Sequence, residues 1–192
     1  MMVKLRPMER VVEILTWLKT KDLTALTAFQ TLCRDMGWKD VVHNLQRREL
    51  WRIRVKVEDE KELERVSRDL VQRVKIFVNP NKHKWEIRFP EKRKKVLMEG
   101  EGEGLYRVEV WVWWREDPRE VSAYHTLIDT WGYKDKILEV KRRDIWEIIL
   151  EGEDVQRVRD KVEEIVVTRS REKGILINPH SQDFAITRIL KV

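Results

Sequence analysis

The sequence predicts an α+β protein built from two tandem β-α-β-β-α-β repeats, and three observations carry that expectation. Gly37-Trp38-Lys39-Asp40, followed by Arg47-Arg48-Glu49-Leu50-Trp51, is written again as Gly132-Tyr133-Lys134-Asp135 and Arg142-Arg143-Asp144-Ile145-Trp146, each position 95 residues further on. Within each copy, period-two and period-3.6 apolar patterns follow one another in the same order. Asn79-Pro80 near the end of the first copy is answered by Asn178-Pro179 in the second. The expected boundaries are residues 1–89 for the first repeat, 90–104 for a charged Gly/Glu linker and 105–192 for the second repeat.

In the first repeat, residues 1–7 carry little pattern. Val11 to Leu18 is β-branched and apolar, the composition of a buried strand. Asp22 is an N-cap for a helix whose apolar positions are Leu23, Leu26, Phe29, Leu32, Cys33 and Met36, with Gly37 as its C-terminal stop. Val41–Leu45 and Leu50–Val57 then read as two strands, joined as a hairpin through Gln46-Arg47-Arg48-Glu49. In the second of them Trp51, Ile53, Val55 and Val57 alternate with charged residues, so one face meets a core. Asp59 caps a second helix through Leu63, Val66, Leu70 and Val74, and Lys84–Phe89 is the last strand.

Pro90 to Gly104 combines a basic cluster, Lys92-Arg93-Lys94-Lys95, with Gly100-Glu101-Gly102-Glu103-Gly104. Alternating Gly-Glu is the composition of a solvated linker and lacks the spacing of a phosphate-binding loop. As a flexible coil it would span about 20 Å. The second repeat then runs Tyr106–Trp114, a helix opened by Asp117-Pro118 and closed at Trp131-Gly132, a hairpin of Lys136–Lys141 and Ile145–Leu150, a helix from Asp154 to Thr168, and Asp183–Leu190. Asn178 lies 99 residues after Asn79, so four extra residues sit around Ser170 to Gly174. The order of elements in each copy is that of a ferredoxin-like fold.

Cys33 is the only cysteine, which excludes an internal disulfide and Cys-rich metal motifs and fits a reducing cytoplasm. No apolar run reaches membrane-span length, and the N-terminus lacks the apolar core of a secretion signal, so a cytoplasmic protein is expected. Charged residues make up 39% of the chain while Asn and Gln number nine, a thermophile-like bias toward surface ion pairs. The net charge of +6 comes from 40 basic and 34 acidic residues that are interspersed, which reads as a solvated surface rather than a nucleic-acid footprint.

His43, His83, His125 and His180 have no metal-ligand spacing, so no metal and no cofactor is expected. The serines lack a nucleophile elbow, Cys33 reads as a small core residue, and no catalytic constellation emerges. Among the nine tryptophans, Trp51 and Trp146 occupy equivalent positions of amphipathic strands and read as core. Trp114 faces away from Trp111 and Trp113 and would mark an interface. Arg47-Arg48 and Arg142-Arg143, placed at hairpin tips, are shaped to clamp a partner's carboxylates or a ligand phosphate, the alternative being a solvated turn.

Each half resembles PurS, the small subunit of the multi-subunit phosphoribosylformylglycinamidine synthase of purine biosynthesis. The resemblance rests on the Tyr106–Val112 strand, the Asp117-Pro118 helix start, the Gly132-Tyr133 helix end, and Asn178-Pro179 before Asp183-Phe184. It covers about residues 9–89 and 105–190, with Gly37, Asn79 and Pro80 at the corresponding places of the first copy. Arg48-Glu49 and Arg143-Asp144 stand where the family has Gly-Lys, Glu120 replaces a glycine, and Asp22 lacks the following proline.

The resemblance implies a pseudo-twofold PurS-like pair within one chain. It implies a non-catalytic role bridging a synthetase (PurL-type) subunit and a glutaminase (PurQ-type) subunit, and it leaves a homodimer open. Two other readings remain: a stand-alone ferredoxin-like regulatory or scaffolding module and, less favoured, an RNA-binding protein using the Trp-rich sheet.

Overall fold

A computed structural model describes residues 7–90, 98–170 and 173–192. The protein is α+β, with four α-helices and a seven-stranded sheet among the described residues. In chain order the elements are β1 (Met8–Leu18), α1 (Leu23–Asp35), β2 (Val42–Val57), α2 (Glu60–Gln72), β3 (His83–Arg88) and β4 (Met98–Glu99). They continue with β5 (Gly104–Trp114), α3 (Pro118–His125), β6 (Ile137–Gly152), α4 (Val155–Val166) and β7 (Gln182–Lys191). The strand order is β3-β1-β2-β6-β5-β7-β4.

The helix starts follow local chemistry. Asp22 accepts the N–H groups of Thr24 and Ala25, Asp59 that of Glu62, Asp117 that of Arg119 and Asp154 that of Arg157. Pro118 occupies the first turn of α3, where a missing N–H costs nothing. Gly37 and Gly132 have φ of 74° and 72°, the left-handed conformation that closes a helix. Thr126–Thr130 prolongs α3 as a π-helical turn before Gly132.

Two expectations are corrected. Neither hairpin exists: β2 runs unbroken through Gln46–Glu49, and β6 runs unbroken through Arg142-Arg143. Neither stretch contains a glycine or proline to reverse the chain, and an extended backbone there keeps its hydrogen bonds in the sheet. What changes at that point is the strand partner, since β1 pairs with β2 only from Glu49 onward and β5 pairs with β6 only from Asp144 onward. The second correction concerns α1, which buries Ala25, Ala28 and Leu32, while Leu23 is 72% exposed. The smaller residues let the helix lie close to its strands.

The chain forms two compact units, each drawn from both halves of the sequence. Unit one comprises residues 1–19, 49–94 and 117–143; unit two comprises 20–48, 95–116 and 144–192. In unit one, Val12, Ile14, Trp51, Ile53, Leu63, Val66 and Leu70 from the first half pack with Ala123, Leu127, Tyr133, Ile137 and Val140 from the second. In unit two, Ala25, Ala28, Leu32, Val42 and Leu45 from the first half pack with Tyr106, Val108, Trp146, Ile148, Val158 and Val162. Helices α1 and α3 are thus exchanged between the two halves of the chain. β2 and β6 are neighbours in the sheet; Lys56 N–H donates to Lys136 O at 2.8 Å in unit one, and Glu151 N–H to Val41 O at 2.9 Å in unit two.

The glycine-rich stretch expected as a free linker is docked in unit two. Met98–Glu99 pairs in parallel with Ile189–Leu190, and the Tyr106 hydroxyl donates to Gly102 O at 2.6 Å. A Cβ on Gly100 would meet the Tyr106 ring at 2.7 Å, so this backbone passes too close for a side chain. The basic cluster Lys92-Arg93-Lys94-Lys95 lies outside the described residues, as do Arg171 and Glu172 of the four-residue insertion.

Candidate functional site

The two Arg-Arg pairs lie mid-strand, and each meets the start of an exchanged helix. In unit one, Asp117 caps α3 through Arg119 N–H at 3.0 Å. The same carboxylate faces Arg142 at 3.5 Å and Arg119 at 3.2 Å. Arg142 Nε donates to Glu49 Oε1 at 2.8 Å, and the Arg142 side chain is only 4% exposed.

One turn into α3, Glu120 collects three donors. Its Oε1 accepts the Arg142 backbone N–H at 2.7 Å and Arg143 at 3.2 Å, and its Oε2 accepts Lys141 Nζ at 3.2 Å. Burial depresses the Arg143 guanidinium below its ordinary value, and the nearby Glu120 carboxylate opposes that shift. Glu49, Asp117 and Glu120 therefore face four cations, Arg119, Lys141, Arg142 and Arg143. The cluster fastens α3 to β6 and β2; its Arg142 guanidinium faces carboxylates of its own chain.

The equivalent corner of unit two is simpler. Arg47 Nε donates to Asp22 Oδ2 at 3.0 Å, and its guanidinium lies 5.9 Å from the centre of the Trp146 ring, within cation–π range. Arg48 faces Glu147 at 3.6 Å, and both Arg47 and Arg48 remain about a third exposed. At the place of Glu120 stands Ala25. Trp114 is 39% exposed at the end of β5, opposite Gln182 of β7.

The remaining motif residues have structural tasks. The Asn79 and Asn178 side chains accept the N–H two residues on, from Asn81 and His180, each at 3.0 Å, forming matching turns that carry Pro80 into β3 and Pro179 into β7. Gly37 and Gly132 end the two exchanged helices. Sequence reasoning did not assign Glu49 or Lys141 to a site and noted Glu120 only as a departure from a family glycine. A carboxylate three residues after an Asp cap, facing a basic strand, was the available signal.

Of the histidines, His43 lies 3.0 Å from Glu151 and His83 accepts the Asn79 N–H at 3.3 Å. Among the described residues no group of three or more His, Cys, Asp or Glu is arranged to hold a metal ion, and no described helix is long and apolar enough to cross a membrane. Cys33 is half-buried, and burial pushes its thiol up from the ordinary value.

A second feature of unit two is an open cleft of about 330 Å³ at the end of α1, walled by Met36, Trp38, Val41, Glu164, Arg169 and Lys173. Comparison with protein-family models, with curated proteins and with solved structures finds no match.

Proposed function

We propose that this chain is a PurS-like, non-catalytic subunit that bridges the synthetase and glutaminase subunits of a phosphoribosylformylglycinamidine synthase. In this reading the chain is two tandem ferredoxin-like repeats forming a pseudo-twofold pair. The observation that carries it is the exchange of α1 and α3: each compact unit is completed by a helix from the other repeat. A single chain thereby builds internally what a single-repeat subunit would need two copies to make. The Asp cap, glycine stop and Asn-Pro turn that carried the resemblance occupy matching stations in both repeats, which supports common descent of the two halves.

A bridge needs exposed, rigid contact surface rather than a reactive group. Trp114 on β5, together with the part-exposed Arg47 and Arg48 on β2, supplies candidate contacts. Reconstitution with the synthetase and glutaminase from the same source tests this. Omitting the chain should abolish glutamine-dependent synthesis while ammonia-dependent synthesis by the synthetase persists, and the three proteins should co-purify. If both syntheses are unaffected by its omission, the bridging role is lost. The second reading, a stand-alone regulatory or scaffolding module, would then stand; it is favoured by the pairing of buried Arg142 and part-buried Arg143 with carboxylates of their own chain.

A further inference from the structure

The Gly-aromatic motif at the end of the two exchanged helices is built differently in the two units. In unit one Tyr133 is buried and its hydroxyl donates to Asp69 Oδ2 at 3.1 Å, so the space between the helix end and α2 is filled. In unit two the same two positions, 95 residues away in each case, are Trp38 and Glu164, and a cleft of about 330 Å³ opens between them. Trp38 packs partly against the core and lines the cleft with the rest of its surface.

The far wall comes from two residues that flank the extra residues of the second half's sequence. Arg169 and Lys173 both line the cleft, and their backbones are joined by an Arg169 N–H to Lys173 O bond of 2.8 Å. Behind them Ile175 N–H donates to Ile165 O and Leu176 N–H to Val166 O, pinning the segment to α4. Gly174 has φ of 73°, and a Cβ there would lie 1.8 Å from Val167 O. Arg169 and Lys173 are thus held beside α4, near the place where the sequence of the first repeat is four residues shorter.

We propose that this cleft binds a nucleoside monophosphate. The Trp38 indole offers a stacking surface for a nucleobase of any kind. Arg169 and Lys173 supply charge-assisted donors for a phosphate. The Glu164 carboxylate, an acceptor only, takes an exocyclic amino group or a ribose hydroxyl, while Met36 and Val41 complete an apolar wall. The volume lies near the lower end of the range of about 300–1,000 Å³ for small-molecule sites, which suits a mononucleotide and is small for a dinucleotide.

Calorimetric titration of the full chain with AMP, GMP, CMP and UMP tests the proposal, with adenosine, guanosine and inorganic phosphate as separate arms. At least one monophosphate should bind with a sub-millimolar Kd, and its nucleoside and free phosphate should each bind at least about tenfold more weakly. The double variant Arg169→Glu/Lys173→Glu, at two exposed residues, should lower affinity at least about tenfold without changing the thermal unfolding midpoint, and Trp38→Phe should weaken it less. Trp85→Ala, on β3 of unit one, should leave binding unchanged. Absence of binding by all four nucleotides at millimolar concentration overturns the proposal. So does phosphate binding as tightly as the nucleotide, or an affinity untouched by the charge reversal.

Discussion

Glu120 Oε1 accepts the backbone N–H of Arg142 at 2.7 Å, and the residue 95 positions earlier is Ala25. A strand N–H in the middle of β6 is thereby satisfied by a side chain from an exchanged helix. Glu120→Ala should destabilise the protein by about 2–4 kcal/mol, because the Arg142 N–H loses its Glu120 acceptor and the part-buried Arg143 guanidinium and Lys141 lose a neighbouring carboxylate. Urea unfolding should report this as a lower midpoint with an unchanged slope, and Glu120→Gln should recover part of the loss.

The two helix caps should differ for the same reason. Asp22→Ala removes a cap and an Arg47 partner that is about a third exposed, a loss of about 1–2 kcal/mol. Asp117→Ala removes a cap and also strips a carboxylate from the buried Arg142 guanidinium, so a loss of about 3 kcal/mol is expected. Thermal or urea denaturation of the two variants, compared side by side, checks the ranking.

Glycine substitutions separate conformational strain from collision. At Gly37 and Gly132 a Cβ would meet nothing within 4 Å, so Gly→Ala should cost each helix end only the left-handed penalty of about 1–2 kcal/mol. Gly174→Ala adds a contact with Val167 O at 1.8 Å and should cost distinctly more. Equal losses at all three sites would contradict the close approach of Gly174 to Val167 O.

Two groups set limits on the pH range of stability. The Lys136 ammonium and the Glu58 N–H, the latter at 2.7 Å, hold the Glu62 carboxyl below its ordinary 4.5. Its stabilisation is therefore present above about pH 4.5 and is lost as pH falls through the depressed folded value. Burial, reinforced by Asp69, pushes the Tyr133 phenol from 10.0 up to about 12. That contribution is whole below pH 10 and declines as pH rises toward 12, with a slope of up to about 1.4 kcal/mol per pH unit. Glu62→Gln should flatten the acid limb and Tyr133→Phe the alkaline limb of stability measured by urea midpoints.

The exchange of helices predicts how a half-chain behaves. Residues 1–95 alone lack Ala123, Leu127, Tyr133, Ile137 and Val140, which unit one buries. The half should not fold as a monomer; light scattering should find a dimer in which two copies exchange α1, or aggregate. Co-expression with residues 96–192 should restore a one-to-one complex. A stable monomer of the first half would contradict the exchange.

Much of this architecture was written locally. Asp22, Asp59, Asp117 and Asp154 cap helices, Gly37 and Gly132 stop them, and the alternation of Trp51, Ile53, Val55 and Val57 marks a buried strand face; each depends on residues a few positions apart, so each is readable from the chain alone. The repeat interval of 95 residues likewise identified which positions correspond. Tertiary structure decided the rest. Whether Gln46–Glu49 turns or runs straight depends on which strands lie alongside it, and those strands belong to distant segments. Which strands α1 covers depends on whether Ala25, Ala28 and Leu32 fit better against β1 or against β5 and β6, a choice between two similar apolar surfaces that the helix pattern cannot distinguish. The ion cluster and the cleft follow from that choice, because exchange brings Glu120 to Arg142 in one unit and places Trp38 beside Glu164, Arg169 and Lys173 in the other.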